Sequence, residues 1–321
     1  MKNQKGPLYL FLAFTLAGTS VVSARFVSDS LGTFTIALIS LFFALMFLIP
    51  ISGKRLFTAL LTLNAKEYLL MSVQALFGIF LFRMFLLKGL TRTSAGEAGI
   101  LTGATPAITA LLAVILLKEH LNYKKLLGII GTVAGILLIQ NVLGAGSGFT
   151  SGHFWGNMLV LCAAACESLF NTFSRFFALR SLSNNTQPVH PLVQTTIVSA
   201  FALILCLIPA LFEHPVTRLS AIGTVEWLAL IWYGVFVTAL AFICWYGGIN
   251  RSGALTAAAF SGMMPFTSTL LSVTVLGEKL DLQQWVGAAL IVICMLLIGT
   301  DSAIDSRSGN LKTVQAGSSV D

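Results

Sequence analysis

The chain has 321 residues, of which 56% are hydrophobic and only 10% are charged. Soluble domains carry about 25% charged residues, so these few charges cannot form a soluble surface. Together with a mean hydropathy of +0.90, this composition excludes a soluble enzyme, a nucleic-acid-binding domain and a disordered chain. We therefore interpret the formal net charge of +7 as positive charge kept on the cytoplasmic side of a bilayer.

The chain begins with a short polar segment that contains Lys2 and Lys5, and an apolar run over 8–27 follows it. The apolar part of a signal peptide is usually about 7–15 residues long. Because this run is longer and further apolar runs follow, it is predicted to be a retained transmembrane helix.

Ten apolar runs are long enough to cross a bilayer, because a spanning helix needs about 20 mostly apolar residues. They cover 8–27, 31–50, 67–88, 95–117, 122–143, 155–177, 190–212, 225–247, 254–276 and 282–300. A Gly/Ser linker over 144–152 separates the fifth run from the sixth, and the polar tail over 301–321 is predicted to be disordered. The predicted fold is an all-α integral membrane protein with ten transmembrane helices.

The distribution of Lys and Arg predicts the orientation. With the N-terminus in the cytoplasm, 13 of the 19 basic residues fall on the inner side and 6 on the outer side. The outer ones are Arg25, Arg83, Lys88, Arg92, Arg218 and Lys279. Since cytoplasmic loops are enriched in Lys and Arg, we expect a multi-pass plasma-membrane protein with both termini and the tail in the cytoplasm.

The two halves of the chain resemble each other at a shift of 159 residues. No gap is needed over 89–139, where 17 of 51 positions are identical. The identical positions pair Gly89 with Gly248, Arg92 with Arg251, Gly103 with Gly262, Pro106 with Pro265, Glu119 with Glu278, and Gly128 with Gly287. Chance matches between Leu-rich helices do not explain these residue types. We therefore predict a first repeat over 8–143 and a second repeat over 153–300.

Each predicted repeat has five spans. Because five is an odd number, the second repeat enters the membrane from the opposite side, and the two are predicted to be inverted repeats. Inverted repeats are typical of secondary transporters, whose substrate site lies near the midplane between them. This arrangement predicts transport by alternating access.

Two copies of one motif resemble the EamA domain. The first copy has Gly89-x-x-Arg92, Pro106, Leu117-Lys118-Glu119 and Gly128, and the second has Gly248-x-x-Arg251, Pro265, Leu276-Gly277-Glu278-Lys279 and Gly287. Two such domains in ten spans are similar to the drug/metabolite transporter superfamily. The resemblance implies ten spans, a central cavity, and efflux or exchange of small metabolites, often amino acids or their relatives.

Pro106 and Pro265 lie at the centres of the fourth and ninth spans. A proline inside a helix removes a backbone hydrogen bond and frees the carbonyl four residues earlier, here the carbonyls of Thr102 and Ser261. Each half is therefore predicted to have a hinge with a substrate-facing polar patch at mid-membrane. The predicted hinge residues are Gly103, Pro106, Gly262 and Pro265. The alternative is a kink that serves only helix packing.

Glu167 lies in the middle of the sixth span, where a charge costs about 2.5–3.5 kcal/mol on insertion scales. It shares a helix face with Asn157 and Asn171, and such a polar face is predicted to line a cavity. Glu167 and Asn171 are therefore candidate substrate-binding residues, and Glu167 is also a candidate proton carrier. The alternative is a structural carboxylate that binds Asn171 or a neighbouring helix.

Arg83 lies inside the outer end of the third span. A guanidinium binds a carboxylate through two parallel hydrogen bonds, so Arg83 is a candidate to bind a substrate carboxylate. The alternative is that it extends along the helix to the lipid headgroups. Ser20, at mid-depth in the first span, either lines the cavity or lets helices approach closely.

Three further features are interpreted as structural. Ser94 and Glu97 have the spacing of a capping box at a helix start, and Glu278 is expected at a helix end or interface. The Gly-x-x-x-Gly pairs at 99–103 and 131–135 permit close helix approach. Packing within one chain is expected there, and the sequence is compatible with either a monomer or a homodimer.

No phosphate-binding loop, zinc-protease motif or hydrolase nucleophile motif occurs in the sequence, so no cofactor, metal site or catalytic residue is predicted. We expect a secondary transporter, and not an enzyme, that moves a small organic metabolite such as an amino acid or a derivative. Its expected partners are this solute and membrane lipids, and no nucleic acid. The alternatives are a membrane-embedded enzyme acting on a lipid-linked substrate, a membrane sensor or scaffold, and a passive channel.

Overall fold

The computed structural model describes residues 5–117, 122–139, 151–183, 189–245, 247–248, 260 and 263–297. Within these ranges every regular element is a helix. A helix begins at Ser151, so the last two residues of the predicted linker are helical. Two predicted site residues, Ser261 and Gly262, and the predicted tail over 301–321 lie outside the described residues.

The helices of the described ranges are numbered in chain order. They are α1 Lys5–Ser28, α2 Thr33–Thr62, α3 Ala65–Leu90, α4 Ala95–Thr102, α5 Thr105–Leu117, α6 Tyr123–Ile139, α7 Ser151–Ser183, α8 Pro191–Leu211, α9 Pro215–Leu219, α10 Thr224–Trp245, α11 Met263–Thr274 and α12 Leu282–Leu297. The short helix α9 joins α8 to α10. The fourth predicted span corresponds to α4 and α5 together.

Five of these helices, α1, α2, α3, α8 and α10, are long and apolar enough to cross a membrane. Helices α6 and α12 contain the shorter apolar segments Leu126–Ile139 and Leu282–Leu297. The described part of the chain therefore has the all-helical, apolar character that the sequence predicts, and the ten-span inverted arrangement stays a prediction.

Helix α2 extends beyond the predicted end of the second span at residue 50. It continues past Pro50 and bends at Gly53, whose φ of 48° is readily adopted only by glycine. After the bend, residues 54–62 form a surface segment with Phe57 and Leu61 exposed. This surface segment connects α2 to α3.

The fourth span is broken, where a kinked helix was expected. Helix α4 ends at Thr102 and α5 begins at Thr105, and the Gly103 N–H donates to the Ile100 carbonyl at 2.9 Å. Pro106 is the second residue of α5, where its missing N–H removes no intrahelical hydrogen bond. The proline therefore starts a new helix and does not interrupt a continuous one.

Two π-helical segments occur at matching positions in the two halves. They cover Leu76–Leu81 in α3 and Tyr233–Leu240 in α10. The 159-residue shift carries 76–81 onto 235–240, which lies inside the second segment. Because π-helical turns are rare and frequently lie at functional sites, both segments are candidate parts of a site.

Small residues bring the central helices together. Gly18 of α1 and Gly99 of α4 pack against α11, and Gly135 of α6 packs against Gly287 of α12. Both predicted Gly-x-x-x-Gly pairs face other helices of the same chain. The largest apolar cluster joins α1, α3, α4, α7 and α10 around these contacts.

We expect Gly18→Ala to destabilise the packing of α1 on α11. A Cβ atom at this position would lie 2.6 Å from the Met264 carbonyl oxygen, and overpacking of this kind costs about 1–3 kcal/mol. Thermal unfolding of the purified protein in detergent measures the effect. Gly152→Ala is the matched control, because nothing lies within 4 Å of a Cβ atom at Gly152. Equal stability of the two variants would contradict this packing.

Candidate functional site

Arg83 of α3 lies inside the bundle, with 5% of its surface exposed. Its Nη1 donates to Ser40 Oγ of α2 at 2.7 Å, and its Nη2 donates to Thr238 Oγ1 of α10. The guanidinium carbon lies 4.5 Å from the centre of the Tyr233 ring, which adds a cation–π contact. These four residues form the Arg83 cluster, which joins three helices. The guanidinium points into the bundle and does not extend to a headgroup.

The hydroxyl groups of the Arg83 cluster are arranged as acceptors. Ser40 Oγ donates its proton to the Ala37 carbonyl at 3.1 Å, and Thr238 Oγ1 donates to the Tyr233 carbonyl at 2.8 Å. Each hydroxyl therefore turns a lone pair toward the guanidinium. Among the described residues no carboxylate forms an ion pair with Arg83. Since an uncompensated charge in an apolar interior is costly, the cluster is suited to bind an anionic group.

The positions that the internal repeat relates to Arg83 and Thr238 are apolar. The 159-residue shift pairs Ser40 with Ser199, Arg83 with Phe242, and Thr238 with Ile79. Ile79, Ser199 and Phe242 line one cavity of about 10 Å³ together with Phe170, and this volume holds about one water molecule. The buried Ser199 hydroxyl has no hydrogen-bond partner among the described residues. We call this space the aromatic cavity.

The Arg83 cluster and the aromatic cavity are neighbours. On α3, Ile79 precedes Arg83 by four residues, and on α10, Phe242 follows Thr238 by four residues. Residues four apart lie on about the same face of a helix, one turn from each other. An amphipathic ligand, with its anionic group at Arg83 and its apolar part in an expanded aromatic cavity, matches this order.

Glu167 of α7 binds the break between α4 and α5. Its Oε2 accepts from Thr105 Oγ1 at 3.1 Å, and Ser168 Oγ donates to the Thr105 carbonyl at 3.0 Å. Thr105 is the first residue of α5. Glu167 therefore contacts the predicted hinge. The helix that it binds, α5, differs from α2 and α10, which bind Arg83.

The remaining predicted site residues that the structure describes lie on α1, α4, α7 and α11. The Thr102 hydroxyl donates to the Gly99 carbonyl at 2.6 Å, so this hydrogen bond stays within α4. Ser20 is buried, and its hydroxyl has no partner among the described residues. Asn171 is partly buried on the same helix as Glu167, and Pro265 is buried in α11.

Glu97 belongs to a buried polar network and does not complete a capping box. Ser94 Oγ accepts from the Glu97 N–H at 3.1 Å, which is the predicted first half of the box. The Glu97 carboxylate accepts instead from Asn157 Nδ2 at 2.9 Å, Gln284 Nε2 at 2.8 Å and Thr93 Oγ1 at 3.0 Å. Through these hydrogen bonds, one buried carboxylate connects α4 with α7 and α12.

Two more carboxylates lie at the same end of the bundle. Glu278 accepts from the first two N–H groups of α4, at 2.9 and 2.7 Å, as suits the helix-end role predicted for it. Glu213 accepts from two N–H groups at the start of α2, at 3.1 and 2.8 Å. Carboxylates at helix starts satisfy free N–H groups and stabilise the positive end of the helix dipole. We call this end, which Glu97, Glu213 and Glu278 hold together, the acidic end.

The sequence did not single out the hydroxyl partners of Arg83. A hydroxyl inside an apolar run is a weak signal, because Ser and Thr commonly bind the backbone of their own helix. The internal repeat carries a stronger signal. Ser40 and Ser199 are identical at the 159-residue shift, and residues 48–50 and 207–209 both read Leu-Ile-Pro.

The chain has clear relatives among known proteins. The sequence profile of the EamA-like transporter family matches it twice, over 4–140 and 154–300. The uncharacterized transporter YetK of Bacillus subtilis (strain 168) is 31% identical over 298 residues, which cover 91% of this chain and 86% of that protein. The aromatic amino acid exporter YddG of Ancylobacter novellus is 26% identical over 231 residues, which cover 71% of this chain and 72% of the exporter.

A solved crystal structure also resembles the chain, with a TM-score of 0.61 at 22% sequence identity. The match covers 91% of this chain and 95% of the other. The two proteins therefore share a fold over nearly their whole length.

We expect Glu97→Gln to destabilise the acidic end. The carboxylate accepts hydrogen bonds on both oxygens, whereas the amide of Gln turns an N–H group toward another donor. A buried donor left without an acceptor costs about 1–3 kcal/mol. Thermal unfolding of the purified variant measures the loss.

Glu226→Gln is the matched control for this variant. The Glu226 side chain accepts from the Gly223 N–H at an exposed helix start, and Gln serves equally well in that position. Equal loss of stability in both variants would show that the Glu97 carboxylate has no special role at this end.

Proposed function

Since the chain belongs to the EamA-like transporter family, we propose that it is a secondary transporter that moves a small amphipathic carboxylate by alternating access. The solute class is an amino acid with an apolar side chain or a derivative of one. Transport is by efflux or by exchange through the plasma membrane, with both termini in the cytoplasm.

The helix contacts support two inverted halves of five spans each. Helix α1 packs against α11, and α7 packs against α4 and α5. The 159-residue shift converts the contact between α1 and α11 into the contact between α7 and α5. Helices α2 and α8, which are equivalent to each other, pack together, as expected for elements beside an axis that relates the halves. Since each half has an odd number of spans, this arrangement implies opposite orientations in the membrane.

The observation that carries the proposal is the buried guanidinium of Arg83, which has no carboxylate partner among the described residues. A substrate carboxylate would supply the missing negative charge through charge-assisted hydrogen bonds. The adjacent aromatic cavity, with Phe170 and Phe242, suits an apolar side chain. The relative named as an aromatic amino acid exporter agrees with this solute class.

Alternating access requires the site to open and close. The aromatic cavity measures about 10 Å³, which is too small for an amino acid side chain, so substrate entry requires the surrounding helices to separate. We assign the break between α4 and α5, where Glu167 binds Thr105, as the hinge of the first half. The carboxylate contacts of the acidic end are assigned as the ones that seal one side.

Arg83→Gln is expected to reduce transport of carboxylate solutes by about 10-fold or more, since a hydrogen bond to a charged group contributes about 1.5–3 kcal/mol. The assay is counterflow of labelled amino acids into proteoliposomes, with a decarboxylated analogue of the best substrate as competitor. The wild type is expected to prefer the carboxylate solute, and Arg83→Gln is expected to lose that preference.

Arg218→Gln, which removes an exposed cation on α9, is the control and should transport at the wild-type rate. Arg83→Lys should recover part of the activity, because it keeps the charge but loses the planar pair of donors. If Arg83→Gln transports at the wild-type rate and keeps the preference for the carboxylate solute, the assigned role of Arg83 is wrong. Saturable counterflow in the wild type would still support a transporter.

Glu167→Gln separates proton coupling from substrate movement. If Glu167 carries the coupling proton, the variant loses the acceleration of uptake by a pH gradient. The reason is that the amide of Gln does not gain or lose a proton near neutral pH. Counterflow at equal pH on both sides is expected to persist. Proteoliposome uptake with and without the gradient measures both properties, with Glu226→Gln as the control carboxylate. Wild-type acceleration in Glu167→Gln would rule out the proton-carrier role.

A further inference from the structure

A basic groove lies at the opposite end of the bundle from the acidic end. The surface segment of α2 and the starts of α3 and α8 enclose about 450 Å³, and Lys54, Arg55 and His190 are among the lining residues. Glu67 also lines the groove, but its Oε2 accepts from the Asn64 N–H at 2.8 Å in the capping box of α3. The groove therefore has two cations, Lys54 and Arg55, and one carboxylate, which already accepts a hydrogen bond from the backbone.

His190 has too few lone pairs for its neighbours. Its Nδ1 accepts from the Leu192 N–H at 3.3 Å, and its Nε2 lies 3.4 Å from Arg55 Nη1. Arginine only donates hydrogen bonds, and a neutral imidazole has a single acceptor nitrogen. The ring can accept from only one of these two donors, the Arg55 guanidinium or the Leu192 N–H. Both side chains are exposed, so an anionic oxygen from outside the chain could accept hydrogen bonds from Arg55 and from the imidazole.

In the second half of the chain, the position equivalent to Lys54 is a carboxylate, that of Glu213. The 159-residue shift carries Lys54 onto Glu213, and it carries the start of α2 onto the start of α8. At the acidic end, Glu213 binds two N–H groups at the start of α2. In the groove, a lysine occupies the matching position beside the start of α8. At the start of α2, Glu213 supplies a negative charge from within the chain. At the start of α8, an anion from outside the chain would supply it instead.

The surface beside the groove is apolar. Phe57 and Leu61 of the surface segment are 67% and 73% exposed. A surface helix that carries both cations and exposed apolar side chains is suited to the membrane interface. A phosphate that carries acyl chains can contact the groove and these side chains together, whereas free inorganic phosphate contacts the groove alone.

We propose that the basic groove binds the phosphate of an anionic phospholipid, with Arg55 and His190 as hydrogen-bond donors and Lys54 as an additional cation. The bound lipid links the surface segment of α2 to the start of α8. This site goes beyond the transport function, and it does not depend on which solute is carried.

The test measures binding of phosphatidylglycerol and phosphatidylcholine to the delipidated full-length protein by native mass spectrometry. The wild type is expected to prefer phosphatidylglycerol. The double variant Arg55→Gln/His190→Gln is expected to lower that preference about fivefold or more, because each cation near an anionic lipid contributes about that factor. Lys66→Gln and Arg218→Gln remove cations that do not line the groove, and they should change the preference less than about twofold.

Three additional measurements identify the source of the anion and guard against misfolding. Excess inorganic phosphate should not displace the lipid, and displacement would indicate a free-phosphate site instead. Arg55→Lys, which retains the charge, should keep most of the preference. If the double variant unfolds in phosphatidylcholine, Lys54→Gln replaces it in the same assay, since this exposed side chain has little effect on folding. An unchanged preference in the groove variants, or an equal loss in the two control variants, would overturn the proposal.

Discussion

The positive charge of Arg83 inside an apolar bundle is the constraint on which the centre of this structure depends. Ser40, Thr238 and the Tyr233 ring surround the guanidinium from α2 and α10. Neutral partners stabilise a cation without cancelling it. The same arrangement that holds three helices together therefore leaves an attraction for an anion, and stability and proposed substrate binding have one physical origin.

The two halves share backbone features but differ in chemistry. Both have a π-helical segment at the matching position, and both have a serine at the position of Ser40. The first half adds Arg83, whereas the second half has Phe242 and a small cavity. An internal repeat supplies two equivalent places, and different side chains there let one place attract charge and the other accept apolar surface. An amphipathic solute requires both.

The two ends of the bundle differ in a similar way. At the acidic end, Glu213 and Glu278 satisfy the free N–H groups at the starts of α2 and α4. At the basic groove, the position equivalent to Glu213 is Lys54, and Arg55 Nη1 lies 3.4 Å from His190 Nε2. One end is therefore closed by contacts within the chain, and the other is proposed to be completed by a lipid phosphate.

The sequence by itself determined the all-helical membrane character, the family and the internal repeat, because span length, apolar composition and periodic Gly, Pro and Glu positions depend only on local order along the chain. It also singled out Arg83 and Glu167, since a charge inside an apolar run is costly wherever the helix lies. Only the tertiary structure decided what these charges contact. The hydroxyl partners of Arg83 are 43 and 155 residues away, and the capping spacing at Ser94 gave no sign that Asn157 and Gln284 would bind the Glu97 carboxylate. Such contacts depend on which helices pack together and at what depth. Close approach at residues such as Gly18 and Gly135 sets this packing, and the local sequence pattern does not.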